Sequence, residues 1–210
     1  NIPTIEIQHG HQGIYNSLYC RWTNMPLNGY SLLPKYCWMW GKKSKDNMLA
    51  ARKYNQSNPI PIVGGNRWLF KKISQKDQLT KENFIHDLKK CKVVTIATQP
   101  FPNIDTIIPD FVYDVINESP LDIKWLVKLH PHQHNQIDEI TKLINQKIKN
   151  RNILVREILE YALYDILDVT NFLITQWSTV IYESQSFKNI PVIVSETGKE
   201  LFSQNINDGY

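Results

Sequence analysis

From Lys92 onward, short apolar runs alternate with longer amphipathic stretches, and that alternation leaves few folds open to the chain. A brief apolar run bounded by turn residues reads as a buried strand, and strands separated by a helix-length segment pair in parallel with the helices on the sheet faces. Residues 92–98 (KVVTIAT), 123–129 (IKWLVKL), 152–155 (NILV), 171–175 (NFLIT) and 191–195 (PVIVS) are predicted to be five such strands. The intervening segments predict helices at 107–117, 136–150, 160–169 and 179–187, with a last one near Gly198. The second carries Ile137, Ile140, Ile144 and Ile148 at helical spacing. The expected class is α/β, a doubly wound, Rossmann-like parallel sheet.

The first ninety residues are organised differently. A strand at 4–8 is followed by a Pro/Gly/Tyr-rich loop to Tyr30, a strand at 36–40, a helix at 46–54 and a strand at 60–63 closed by Gly64-Gly65. A polar stretch at 74–81 then leads into a helix at 81–90. We therefore expect residues 1–75 to be the C-terminal part of an N-terminal α/β domain with its linker. Residues 76–210 are expected to be a ligand-binding Rossmann-like domain, truncated at its C-terminus. The chain opens at Asn1 in strand-like sequence and stops just past a helical pattern, as an excerpt of a longer protein would.

Composition narrows the function classes. With 210 residues, 42% hydrophobic and 21% charged, the chain is neither disordered, collagenous nor a coiled coil. No apolar run approaches the roughly 20 residues of a membrane span, and no secretory signal opens the sequence. Cys20, Cys37 and Cys91 are scattered and odd in number, which argues against a disulfide framework or a cysteine zinc site and fits a reducing cytoplasm. The net charge of +4 is spread over Lys residues mixed with Asp and Glu. Such a balance does not indicate nucleic acid; it suits an anionic small ligand or peripheral contact with an anionic membrane face.

In open parallel sheets, ligands sit outside the carboxyl ends of the strands. The residues there are His9, Gly10 and His11 after the first strand, Gln99 after 92–98, and His130-Pro131 after 123–129. Gln176, Trp177, Ser178 and Thr179 follow 171–175, and Glu196, Thr197 and Gly198 follow 191–195. In ITQWSTVIYE (174–183), Ser178 and Thr179 open a helix, where hydroxyls either cap it or, with the first free N–H groups, bind a phosphate. Glu183 falls one turn further on the face of Thr179, as a solvated carboxylate or as an acceptor for ribose hydroxyls.

His130 is either a surface histidine beside a turn or a donor to a phosphate oxygen, and Lys128 on the same strand face would add positive charge. Pro131 restricts His130 to extended geometry. His130, His132 and His134 alternate, but three imidazoles on one extended segment rarely converge on one ion, so no metal is expected. His9 or His11 is the candidate general base, with Gly10 and Gly13 permitting close backbone approach. The early aromatics Tyr15, Tyr19, Trp22, Tyr30, Tyr36, Trp38 and Trp40 suit sugar rings or core packing.

Together, K-L-H-P after one strand, S-T-V-I-Y-E after a later one and Q-H-G after an early one resemble the two-domain nucleotide-sugar glycosyltransferases of the GT-B type. Among these, the bacterial capsule and surface-polysaccharide enzymes are the nearest in pattern: sialyltransferases, Kdo transferases and CDP-glycerol glycerophosphotransferases. The resemblance covers almost the whole chain and includes the layout of 161–179 and FKNIPVIV (187–194). It implies that His130-Pro131 and Ser178-Thr179 contact the donor phosphate and that His9-Gly10 supplies a base. The acidic motif in which sialyltransferases carry their base is not found; Asn207-Asp208-Gly209 lies in the wrong region.

The expected function is thus an inverting, metal-independent glycosyltransferase with no required cofactor, either free in the cytoplasm or peripheral on the cytoplasmic face of the inner membrane. It would move a sugar or polyol phosphate from a nucleotide donor, CMP- or CDP-linked by the resemblance, to a growing surface glycan or lipid-linked acceptor. Gln99, Lys128, His130, Pro131, Trp177, Ser178, Thr179 and Glu183 would form the donor site. The alternatives are a nucleotide-sugar 2-epimerase of the same fold and a non-catalytic nucleotide-binding domain.

Overall fold

The structure, a computed structural model, describes residues 2–10, 32–52, 59–74, 83–149, 152–207 and 209. The expected loop up to Tyr30, with His11, Gly13, Tyr15, Tyr19 and Trp22, and most of the polar stretch 74–81 lie outside them. The chain divides into two compact units, Asn1–Ser74 and Gln75–Tyr210.

The first unit holds a three-stranded parallel sheet in the order β1 (Ile5–Ile7), β2 (Tyr36–Met39), β3 (Ile60–Val63). Helix α1 (Lys42–Arg52) joins β2 to β3, and its Met48 packs with Cys37 and Met39 in a small core. The helix begins four residues before the expected start, because Asp46 pairs with Lys42 one turn back at 2.6 Å instead of capping. A second helix, α2 (Arg67–Ser74), was not foreseen. The Asn66 side chain caps it, accepting from the Leu69 N–H at 3.1 Å.

The second unit contains the five expected strands, β4 (Lys92–Ala97), β5 (Ile123–Lys128), β6 (Ile153–Leu154), β7 (Phe172–Thr175) and β8 (Ile190–Ile193), all parallel. Their order is β6-β5-β4-β7-β8. The chain starts in the middle, builds outward through β5 and β6, then crosses back to the other side of β4, so strand order reverses between β4 and β7. A doubly wound sheet opens its ligand crevice at such a reversal.

Period-two alternation sorts the strand side chains into two cores. Val94, Ile96, Trp125, Val127 and Ile174 face α4 (Asp110–Glu118) and α5 (Ile137–Lys147). Val93 and Leu126 face the opposite layer, with Ile85 and Leu88 of α3 (Asn83–Leu88) and Ile166 and Val169 of α6 (Leu163–Val169). Helix α4 starts at Asp110 and not at 107 because Pro109 takes the N-cap position in extended geometry, φ −59° and ψ 146°, which ends any helical turn before it. Helix α7 (Val180–Ser184) continues into a 3-10 turn at Gln185–Phe187, and α8 (Glu196–Leu201) and α9 (Ser203–Asn207) follow β8.

One polar pair crosses the second core. Thr95, buried in the middle of β4, lies 2.6 Å from the Thr170 hydroxyl, which donates to the Ile166 carbonyl at 2.7 Å. The proton between the threonines therefore belongs to Thr95. Thr170→Val leaves that buried O–H without an acceptor and is expected to cost about 1–3 kcal/mol, whereas Thr95→Val only removes one bond and costs about 1 kcal/mol or less. Urea unfolding midpoints of the two variants and the double variant, no worse than Thr170→Val alone, check this ordering.

Candidate functional site at the carboxyl edge of the second sheet

The carboxyl ends of β4 and β5 are tied together by a buried amide that was not among the candidate residues of the sequence. Gln133 is 2% exposed. Its Oε1 accepts from the Thr98 hydroxyl at 2.6 Å and from the His130 N–H at 3.0 Å, while its Nε2 donates to the Gln99 carbonyl at 2.8 Å. The end of β4 and the end of β5 are thereby locked to each other. Gln133 sits at the third position of a 3-10 turn (Pro131–Gln136) whose N-cap is His130. H-P-x-Q is a capping signature, and the signal was present in the sequence.

His130 is extended, φ −64° and ψ 143°, as the following proline demands. Its Nδ1 accepts from the His132 N–H at 3.2 Å. That bond leaves the ring proton on Nε2, so His130 presents one neutral N–H donor. Burial, with smaller contributions from His132 and His134, lowers its pKa below the ordinary histidine value and keeps the ring neutral at neutral pH. His132 and His134 are exposed. Among the described residues no group of three or more His, Cys, Asp or Glu is placed to hold a metal ion.

Lys128 does not add charge beside His130 as expected. Its half-buried Nζ donates to the carbonyls of Ile158, Leu159 and Tyr161 at 3.3, 3.1 and 2.6 Å, bracing the turn that precedes α6. Burial lowers its pKa, offset in part by Asp165.

On the other side of β4, Thr175 ends β7 with its hydroxyl donating to the Ala97 carbonyl at 3.1 Å and accepting from the Ser178 N–H at 3.1 Å. Ser178 is 8% exposed, and its Oγ accepts from the Val180 N–H at 3.4 Å, so the hydroxyl keeps its own proton to donate. Thr179 takes the N-cap position of α7 and makes no side-chain cap bond. Gln176 reaches across to the loop after β4, donating to the carbonyls of Thr106 and Ile107 at 3.0 and 3.1 Å, and Trp177 meets Phe101 edge to face at 4.7 Å. Gln99 contributes its backbone carbonyl to the Gln133 amide. His130 and Ser178 flank β4 from two strands apart, about 10 Å at ordinary strand spacing.

The next helix is clamped to the same loop. The Ser195 hydroxyl donates to the Gln176 carbonyl at 2.7 Å and accepts from the Gly198 N–H at 3.0 Å. A Cβ on Gly198 would lie 1.8 Å from that carbonyl oxygen, which is why the helix can start there only with glycine. Glu183 is half-buried on α7, its Oε1 accepting from the Tyr164 hydroxyl of α6 at 2.6 Å. Tyr164 was not singled out in the sequence. Burial raises the Glu183 pKa, and the Tyr164 bond opposes the rise.

In the first unit, His9 follows β1 and is exposed; its Nδ1 lies 3.3 Å from the Ile7 carbonyl and 3.8 Å from the Glu6 carboxylate. The preceding Gln8 is buried and ties this end of β1 to α1, accepting from the Trp40 N–H at 2.8 Å and donating to the Gly10 carbonyl at 2.8 Å and the Ser44 hydroxyl of α1 at 3.3 Å. His11 lies outside the described residues.

No family model and no curated protein matches the chain. Solved structures do. UDP-GlcNAc 2-epimerase from Neisseria meningitidis, bound to UDP-GlcNAc, superposes with a TM-score of 0.65 at 18% identity, over 99% of this chain and 56% of the other. MnaA of S. aureus, in a co-structure with UDP, superposes with a TM-score of 0.56 at 16% identity, over 78% of this chain and 43% of the other. The chain thus spans about half the length of these structures. The likeness establishes the fold: parallel α/β sheets of the Rossmann-like, GT-B type. No helix among the described residues is long and apolar enough to cross a membrane.

Two measurements test the edge. Gln133→Leu takes the amide donor from the Gln99 carbonyl and leaves the Thr98 hydroxyl only the Lys128 carbonyl at 3.4 Å and the His130 N–H only the Thr98 hydroxyl at 3.2 Å, and it is expected to cost about 1–3 kcal/mol in urea unfolding. Glu183→Gln retains an acceptor for Tyr164. Because folding raises the Glu183 pKa, its ionisation costs stability as pH rises through the folded value. Glu183→Gln should therefore be more stable than the wild type at neutral pH, with the difference vanishing below the ordinary carboxylate range, as thermal melts across pH would show.

Proposed function

We propose that the chain is the nucleotide-binding part, with a portion of the acceptor side, of a GT-B-type glycosyltransferase that uses a nucleotide-activated donor. The observation that carries this reading is the pairing of hydrogen-bond donors across the strand-order reversal: the neutral His130 Nε2–H on one side of β4 and the Ser178 and Thr179 hydroxyls on the other. Donors of this kind fit the oxygens of a diphosphate, and their interaction strengthens as the leaving phosphate gains charge. Glu183, held by Tyr164, would take the ribose hydroxyls. His9 or His11 would accept the proton of the acceptor hydroxyl, and the Glu6 carboxylate lies 3.8 Å from the His9 Nδ1. Bacterial surface glycans, reached from a CMP- or CDP-linked donor, are the products that the sequence resemblance favours.

A second reading is a nucleotide-sugar 2-epimerase. It is favoured by the superposition on a 2-epimerase over 99% of this chain, and that structure and MnaA hold UDP-GlcNAc and UDP. A uridine nucleotide therefore belongs in any ligand screen beside the cytidine ones. The two readings part on the acceptor: an epimerase converts its nucleotide sugar alone, a transferase does not.

Calorimetric titration of CMP, CDP, UMP, UDP and GDP into the chain and its His130→Ala and Ser178→Ala variants tests the donor site. One nucleotide should bind, and each variant should weaken it tenfold or more, about 1.4 kcal/mol. No binding of any nucleotide to the folded chain overturns the proposal. NMR of the matching nucleotide sugar, with and without a glycan acceptor, then separates transfer, epimerisation and binding without turnover.

A further inference from the structure

Divided at Ser74, the charge is not the mixture that the whole sequence suggests. Residues 1–74 carry ten Lys and Arg against Glu6 and Asp46, a net charge of +8; residues 75–210 carry fourteen against eighteen, a net charge of −4. The first unit is a basic body, and part of its basicity is gathered on one helix.

Helix α2, RWLFKKIS, contains three cations, no acid and no buried residue. Leu69 and Ile73, one turn apart, are half-buried, while Trp68 and Phe70 stand 59% and 76% exposed. The ammonium groups of Lys71 and Lys72 lie 6.0 and 5.5 Å from the Trp68 ring centroid, so cation and aromatic share one patch. The patch continues onto the sheet. Gly64 is packed so closely on Trp38 that a Cβ would fall 2.0 Å from the ring, and the Trp38 indole donates to the Gly65 carbonyl at 2.8 Å. The turn leading to α2 therefore crosses the sheet face of Trp38, where the register also puts the exposed Ile7 and Ile62, with Ile5 and Ile60 in the next row. A groove of about 680 Å³ beside the helix has Gly64, Gly65, Arg67, Trp68 and Lys71 on its wall and no acidic side chain in its lining.

We propose that the first unit docks on an anionic phospholipid surface through α2, with Arg67, Lys71 and Lys72 on the headgroups and Trp68 and Phe70 at the acyl boundary. A soluble polyanion would satisfy the cations and leave both aromatic rings in water; a bilayer interface satisfies both kinds of side chain at the same depth. The charge of the unit supplies attraction over the Debye length, and the helix supplies the contact. This surface is independent of the nucleotide reading and stands whether or not a nucleotide binds the second unit.

Vesicle flotation of the whole chain tests it, with phosphatidylcholine vesicles against vesicles that hold one third phosphatidylglycerol. Flotation with the anionic vesicles alone is expected, weakened by salt. Lys71→Gln with Lys72→Gln should weaken it about 25-fold, near fivefold per cation. Trp68→Ala with Phe70→Ala should weaken lipid binding at least tenfold and leave binding to dextran sulfate unchanged. These side chains point outward, and an unaltered melting temperature verifies each variant. Absence of flotation by the wild type overturns the proposal, as does equal flotation with neutral vesicles. Loss of dextran sulfate and vesicle binding in parallel on removing the two rings would also overturn it.

Discussion

Strand β4 is hydrogen-bonded along both edges, to β5 and to β7, and apolar side chains leave it on both faces, Val94 and Ile96 to one core and Val93 to the other. Everything in the second unit that concerns a ligand hangs on that central position. The order of strands reverses beside it, the position at which doubly wound sheets bind their ligands, and Gln176 and Trp177 after β7 reach across to the loop after β4. Thr98 and Thr175, one at each border, use their hydroxyls to hold the borders in place.

The electrostatics of this edge are those of preorganised neutral donors. Lys128, the cation closest to His130 in sequence, is spent on three backbone carbonyls of the turn before α6. His130 is held neutral by burial and keeps a single N–H for a ligand. Donors of this sort need no counter-charge in the unliganded protein and do not have to reorient when charge develops on a bound phosphate. The net positive charge of the chain is instead concentrated in the first unit, residues 1–74.

Much of the strand framework was legible in the sequence, because each β-strand of the second unit is an apolar run of local origin. His130 and Ser178 were legible for the same reason: both immediately follow such a run, and Pro131 dictates the geometry of the first. Gln133 was harder to find, since its importance comes from Thr98 and Gln99, more than thirty residues away. Tyr164 became a partner of Glu183 only when α6 and α7 packed side by side, and nothing at Tyr164 itself announces that bond. Helix α2 went unread because its aromatics face outward, so the apolar periodicity that marks a buried helix is blurred there. The charge separation was hidden by averaging over a chain whose division at Ser74 is a property of its contacts.

The sequence by itself determined the strands, most of the helices, that the sheet of the second unit must be parallel, and that His130 and Ser178 stand at its carboxyl edge. These follow from local patterning and the short reach of turns. Only the tertiary structure decided which of those residues work together. The strand order sets His130 and Ser178 on either side of β4, three carbonyls of the turn before α6 hold the Lys128 ammonium, and the Gln133 amide joins two strand ends. Such choices depend on which distant groups a folded backbone brings within hydrogen-bond distance, and spacing along the chain carries no measure of that distance.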